Sequence, residues 1–186
     1  MTLAERKAAA RQEAIAARAA VDPALAGPAN RALIEAVRAA PGRVVSAFWP
    51  IRAEIDVRPA LNDLAATHDL CLPVVVAKNA PLVFRRWRPG DLLREEKFGT
   101  FVPQATEELT PEILIVPLAA FDARGFRLGY GGGFYDRTLA GLRAAGGPVT
   151  AIGVAYEAQR MAEVPVETTD EPLDLIVTET GPHWPA

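Results

Sequence analysis

The chain has 186 residues, 50% of them hydrophobic, and a formal net charge of −3 with 20 Lys and Arg against 23 Asp and Glu. That length buries a core of ordinary size in one domain, and so even a charge balance excludes an obligatory nucleic-acid or acidic-membrane partner. The single cysteine, Cys71, excludes an internal disulfide, the two histidines, His68 and His183, exclude a Cys/His zinc cluster, and no membrane span or secretory signal is evident, so a soluble cytoplasmic monomer is expected.

Residues 2–20 are alanine-rich and predict a helix on which Lys7 and Arg11, four apart, share one face, with Arg6 and Arg18 adding charge. Such a stripe reads either as a solvated basic face or as a contact for an anion. Residues 28–40 predict a second helix with Leu33, Ile34 and Val37 inward, ended by Pro41-Gly42. Short apolar or β-branched runs at 44–49, 70–76, 82–87, 113–118, 149–154 and 173–177 predict strands, and Cys71 reads as a buried strand residue. Helical stretches at 58–67 and 134–145 intervene. Residues 81–103 read as a hairpin or loop excursion, because Arg85, Arg86 and Arg88 crowd Trp87 and Pro89-Gly90-Asp91 makes a turn. The tail 181–186 is expected to be irregular. Strands alternating with helices predict a single-domain, three-layer Rossmann-like α/β sandwich over residues 1–186, with a mostly parallel or mixed sheet.

The densest chemistry lies at 121–137, where five of the fourteen glycines stand among Arg127, Tyr130, Phe134, Tyr135, Asp136 and Arg137. Glycine without a Cβ takes positive φ and lets oxygens approach successive backbone N–H groups, so the loop suits a polyphosphate with its magnesium ion. It is neither a Walker A motif nor a dinucleotide fingerprint, and a tight glycine turn before a helix is the plainer reading. In an α/β sheet ligands bind beyond the carboxyl ends of the strands, which is where this loop is expected. Residues 50–56 and 155–159 also follow strands, while Asp170 and Asp174 flank the last one. If these segments converge, Asp136 and Asp174 are candidate metal ligands, Glu54 can bind a polar group of a second substrate, and Trp49 and Tyr156 can stack on a flat ring. Each also has a structural reading, Asp136 as a first-turn helix residue, Asp174 as part of a strand-end turn, Glu54 as a surface partner of Arg52 or Arg58, and Trp49 as core.

Taken in order, Pro50-Ile51-Arg52-Ala53-Glu54-Ile55-Asp56, Phe84-Arg85-Arg86-Trp87, the loop 121–136, Gly153-Val154-Ala155-Tyr156 with Gln159, and 165–174 resemble the 5-formyltetrahydrofolate cyclo-ligase family over nearly the whole chain. The resemblance implies ring closure of 5-formyltetrahydrofolate with ATP as co-substrate and Mg2+ as cofactor, through a phosphorylated formyl group, with small molecules as the only partners. It implies ATP contacts at Lys7, Arg11, Arg127, Leu128, Gly129, Tyr130, Gly131, Gly132, Gly133, Phe134 and Tyr135, with Arg127 and Tyr135 catalytic. Folate is implied to meet Glu54, Trp49, Tyr156, Gly131, Gly132, Gly133 and Tyr135, and Mg2+ to meet Asp136 and Asp174. The chain departs from the family pattern at Ala53, where glycine is usual, at Phe134, where tyrosine is common, at Val102-Pro103, where Glu-Pro is commoner, and at Gly132, where some members carry lysine. Without that lysine, Arg127, Arg137 and Lys7 are left to supply positive charge to the phosphates.

Overall fold

The computed structural model describes residues 1–96 and 100–185, so part of the 81–103 excursion, residues 97–99, and the terminal Ala186 lie outside the described residues. In chain order the elements are helix α1 (Leu3–Ala19), helix α2 (Ala26–Ala39), strand β1 (Val44–Ser46), helix α3 (Arg58–Leu64), and strands β2 (Asp69–Val74), β3 (Val83–Arg86), β4 (Leu93–Glu95), β5 (Phe101–Pro103), β6 (Ile113–Pro117), β7 (Ala120–Phe121) and β8 (Arg127–Leu128). Helix α4 (Phe134–Ala144) and strands β9 (Thr150–Val154), β10 (Leu175–Thr178) and β11 (Gly181–His183) complete them.

Seven strands form one sheet in the order β11-β10-β9-β6-β1-β2-β3. The five central strands are mutually parallel, and only the edge strands β11 and β3 run antiparallel to their neighbours. Ile113, Leu114, Ile115 and Val116 of the central β6 are all fully buried, as expected of a parallel strand covered on both faces. Leu33 and Val37 of α2 and Leu61 and Leu64 of α3 pack on one face against Val45, Leu72, Ile113, Ile115, Ile152 and Val177. Leu139 of α4 packs on the other against Cys71, Leu114, Val116, Ala151 and Ile176, which makes the expected three layers. Chain order reverses between β1 and β6, and in a doubly wound sheet such a switch point opens a crevice beyond the carboxyl ends.

Helix α1 belongs to neither layer. Its first turn is closed by reciprocal bonds between Thr2 and Glu5, a capping box, but its inward face carries Lys7, Ala10, Ala14 and Arg18 instead of large apolar residues. Ala10 and Ala14 pack on Ala120, Leu128 and Val164, against the β7–β8 hairpin. The helix therefore lies over the carboxyl edge of the sheet, and its basic stripe is not the solvated face that composition allows.

Two expectations, the irregular tail and the end of β2, are corrected. The tail 181–183 is a strand, because Gly181 at φ +118° turns the chain back onto β10 and Pro182, which has no N–H to donate, is tolerated on an edge strand. The strand expected at 82–87 is β3, paired with β2, and the excursion continues, as expected, into the β4–β5 hairpin. Strand β2 ends at Val74, leaving Val75 and Val76 each 55% exposed beyond it.

Candidate active site at the carboxyl edge of the sheet

The segment leaving β1 folds into a tight turn in which Ile51 and Glu54 are tied twice. The Glu54 N–H donates to the Ile51 carbonyl at 3.1 Å, and the Ile51 N–H donates to Glu54 Oε2 at 2.9 Å. Between them Arg52 sits at φ +53°, in the left-handed region that non-glycine residues rarely adopt, and such strain clusters at functional sites. The turn leaves Glu54 Oε1 aimed across the switch point.

The segment leaving β6 runs through the β7–β8 hairpin into the glycine loop and then α4. Gly131 at φ +95° and Gly133 at φ +64° hold conformations that suit glycine, and Gly133 caps α4 in the left-handed conformation. Between them Gly132 has its Cα against the Phe134 ring, where a Cβ would lie 2.7 Å from two ring atoms. The first-turn N–H groups of α4 have no acceptor within the helix, and beside them Arg137 donates to the carbonyls of Gly132 at 2.8 Å and Ala80 at 3.2 Å.

Helix α1 closes the third side. Arg11 Nε donates to the Gly129 carbonyl at 2.7 Å, and its guanidinium lies within 4 Å of the position a Gly131 Cβ would take. Arg18 Nη1 donates to the Tyr130 hydroxyl at 2.7 Å, and that hydroxyl donates to Glu54 Oε1 at 2.5 Å. Burial pushes the Glu54 carboxyl above the usual range, against the opposing pull of Tyr130, Ile51, Arg18 and Arg52. Burial, reinforced by Glu54, also raises the phenols of Tyr130 and Tyr135, so both are neutral donors at physiological pH. Arg18 and Glu54 also line a tight cleft with Phe48, Pro117, Leu118 and Gln159 that has no room for a water molecule.

A matching anchor lies on the α4 side. The Arg127 side chain is 3% exposed and donates to Asp136 Oδ1 at 3.0 Å and to the Glu171 carbonyl at 2.6 Å. Asp136 Oδ1 also accepts the Glu171 N–H at 3.0 Å, while no bond to Oδ2 is made among the described residues. One residue earlier, Asp170 pairs with Lys7 at 2.6 Å, and Glu167 joins it at 2.7 Å. Burial works against the Lys7 charge, but the bonds to Asp170 and Glu167 prevail and leave its pKa above the usual value. Lys7, Arg127, Asp136 and Asp170 therefore meet where α1, the glycine loop and segment 167–171 converge.

Comparison with known proteins identifies the family. Residues 3–179 match the model of the 5-formyltetrahydrofolate cyclo-ligase family. The chain belongs to that family. Membership makes it an enzyme of the cyclo-ligase class. It is 34% identical over 141 residues to the 5-formyltetrahydrofolate cyclo-ligase of Escherichia coli K12, covering 72% of this chain and 76% of that protein. It is also 38% identical over 102 residues to the cyclo-ligase of Haemophilus influenzae, a match spanning 52% of this chain and only 54% of the relative. Among solved structures, the 5,10-methenyltetrahydrofolate synthetase of Aquifex aeolicus superposes with a TM-score of 0.76 at 27% identity, covering 96% of this chain and 92% of that one.

Against the family's pattern, Lys7, Arg11, Arg127, the glycine loop, Tyr135, Asp136 and Glu54 all lie at the carboxyl edge, whereas three other residues do not join them. Asp174 precedes β10 and so stands at the amino edge; its Oδ2 accepts the Ala151 N–H at 2.7 Å and Arg143 Nη2 at 3.2 Å. Arg143 is in the last turn of α4 and Asp136 in the first, so the helix itself separates the two carboxylates. Among the described residues no group of three or more His, Cys, Asp or Glu is placed to hold a metal. Trp49 is committed to Trp87, edge-on at 5.7 Å, and to the Arg58 guanidinium 5.6 Å from its ring centroid. Tyr156 is 4% exposed, within the core under α2. Phe134, lacking a hydroxyl, packs under Arg137 at 5.1 Å.

Sequence reasoning did not assign roles to Arg18 and Asp170. Arg18 lies eleven residues after Lys7, three helical turns on the same face, so its position was legible once α1 was taken to dock. Asp170 carried no such signal.

Proposed function

We propose that the chain converts 5-formyltetrahydrofolate to 5,10-methenyltetrahydrofolate, with ATP and Mg2+, releasing ADP and phosphate. The observation that carries this reading is the 2.5 Å bond between Tyr130 and Glu54, because it brings the glycine loop and the carboxylate expected to hold folate to one point. Phosphoryl transfer between ATP and a folate requires that juxtaposition.

The formyl oxygen is a poor leaving group, so the reaction begins by moving the γ-phosphoryl group onto it, with ADP departing. N10 then attacks the activated formyl carbon, its proton goes to solvent, and the C–O bond breaks to release inorganic phosphate and leave the methenyl bridge. Such chemistry needs positioning and neutralised charge more than a side-chain nucleophile. The first-turn N–H groups of α4, the exposed glycine-loop backbone and Arg11 are the groups here that suit the phosphates, with Arg137 holding the loop from behind. Arg127 fixes Asp136 and the 171 backbone. Tyr135, kept neutral, stands near Glu54 and Arg127 as a donor toward the reacting oxygen.

Magnesium takes one or two carboxylates, several waters and phosphate oxygens, which fits Asp136 with its free Oδ2 and neighbouring Asp170 better than it fits Asp174. When bound, the ion neutralises charge on the transferred phosphoryl group. No helix among the described residues is long and apolar enough to cross a membrane.

Mixing the protein with 5-formyltetrahydrofolate, ATP and Mg2+ tests the reading. A near-ultraviolet-absorbing methenyl product, one phosphate released per product, and no product without ATP or Mg2+ are expected. Folded protein that yields none of this product contradicts it.

A further inference from the structure

The Tyr130 hydroxyl does two opposite things at once, accepting from Arg18 Nη1 at 2.7 Å and donating to Glu54 Oε1 at 2.5 Å. A guanidinium donor and a carboxylate acceptor are thus held within hydrogen-bond reach of a single oxygen. Both belong to the crevice between the carboxyl ends of β1 and β6. Arg18 is only 4% exposed, and its Nε has no hydrogen-bond partner. A buried unpaired guanidinium N–H is costly and calls for an acceptor that the protein itself does not supply.

A paired donor and acceptor facing one gap are complementary to the edge of a cyclic amide, which presents N–H donors beside a carbonyl oxygen. The 2-amino-4-oxo edge of a pterin is such an edge. We propose that Arg18 and Glu54 form a clamp for it, Arg18 donating to the 4-oxo oxygen and Glu54 accepting from the adjacent ring and amino N–H groups, and that the Tyr130 hydroxyl occupies the clamp until the substrate displaces it. This rests on the folate reading above and adds to it a residue that discriminates the 4-position.

The geometry of the loop supports displacement. Tyr130 is 44% exposed and stands between Gly129 and Gly131; a Cβ at Gly129 would meet nothing within 4 Å, and one at Gly131 would meet only Arg11. The cleft that Arg18 and Glu54 line has no room even for a water molecule, and the Tyr130 hydroxyl stands between the two side chains, so a ring reaches them only as Tyr130 leaves. A ligand that must first displace a protein group binds more weakly by the fraction of molecules in which the site is open.

Folic acid and its 4-amino counterpart aminopterin are the probes, titrated calorimetrically against the wild-type chain, Arg18→Gln and Tyr130→Phe. The wild type is expected to favour the 4-oxo compound by tenfold or more, since a hydrogen bond to a charged group is worth about 10- to 100-fold. Arg18→Gln should bring that preference to within about threefold, with affinity for a non-hydrolysable ATP analogue unchanged. Tyr130→Phe should bind both pterins several-fold more tightly. An unaltered 4-oxo preference in folded Arg18→Gln overturns the clamp, and so does unaltered or weaker pterin affinity in Tyr130→Phe, the deciding variant if Arg18→Gln does not fold. Turnover by the wild type with either of those results would leave the folate reading standing and sink the clamp alone, whereas a wild type that binds neither pterin sinks both.

Discussion

The two ends of the parallel sheet are both lined with charge, and they use it in opposite ways. At the amino edge carboxylates take the N–H groups at the starts of strands: Glu112 accepts from Arg43 and Val44 before and at β1, and Asp174 accepts from Ala151 in β9. The backbone bonds from Arg43 and Val44 hold Glu112 below the usual carboxylate range, and Arg86 and then Arg43 do the same for Asp69. At the carboxyl edge Glu54 moves the other way, raised by burial, and its partner is a hydroxyl on a glycine loop. Charge at one end is spent on building the sheet, while at the other, on the proposed function, it is kept for a ligand.

That contrast is broken if the carboxyl edge proves structural or the amino edge catalytic. The largest effect is expected for Glu54→Gln. Loss of a buried charged acceptor should lower kcat/KM by about 100-fold, with melting temperature within a few degrees of wild type, because the Gln amide oxygen still accepts from Ile51. A drop in stability with activity preserved would reverse the assignment. Next comes Gly153→Ala in β9, where a Cβ would lie 2.6 Å from Leu173 Cδ1 and 2.9 Å from Leu118 Cδ2. Overpacking there should destabilise by about 1–3 kcal/mol in denaturant titration, and Leu118 also lines the crevice, so a modest rise in folate KM should accompany it.

The pH dependences should differ in sign. The folded state holds the Glu54 proton more tightly than the unfolded chain does, so this group's contribution to stability falls as pH rises from the ordinary carboxylate value through its raised one. Its deprotonation is also what folate binding needs, so the acid limb of folate affinity should lie above the ordinary Glu value of about 4.3 and vanish in Glu54→Gln. Glu112, depressed, contributes stability that is present above its ordinary value and is lost as pH falls through its lowered one. Acid-induced unfolding of Glu112→Gln should therefore begin from a lower stability and be shallower than wild type. A common sign for the two groups would remove the contrast.

Much of this was legible in the sequence because the signals were local. Runs such as Ile113-Leu114-Ile115-Val116 are apolar on both faces, and only a covered parallel strand explains them. Glycines clustered before a helix mark the loop that the structure brings to the segment from Pro50 to Asp56 through Tyr130 and Glu54. What escaped depends on tertiary placement. An alanine-rich helix with charged residues looks solvated until Ala10 and Ala14 are found packed on the β7–β8 hairpin, which itself is too short to read. Asp170 and Asp174 look equivalent in sequence, yet segment 167–174 crosses from the carboxyl edge to the amino edge, and only the former meets Lys7. The tail was hidden by a glycine and a proline, Gly181 and Pro182, that suit an edge strand.

Titrating Mg2+ into turnover assays of Asp136→Asn and Asp174→Asn side by side sets the two edges against each other in one experiment. Asp136→Asn is expected to need at least tenfold more Mg2+ for half-maximal rate, because it weakens a carboxylate at the phosphate end of the site. Asp174→Asn is expected to keep the wild-type Mg2+ requirement and lose about 1 kcal/mol of stability. A shifted Mg2+ requirement in Asp174→Asn with none in Asp136→Asn would contradict the division of the molecule into a working edge and a building edge.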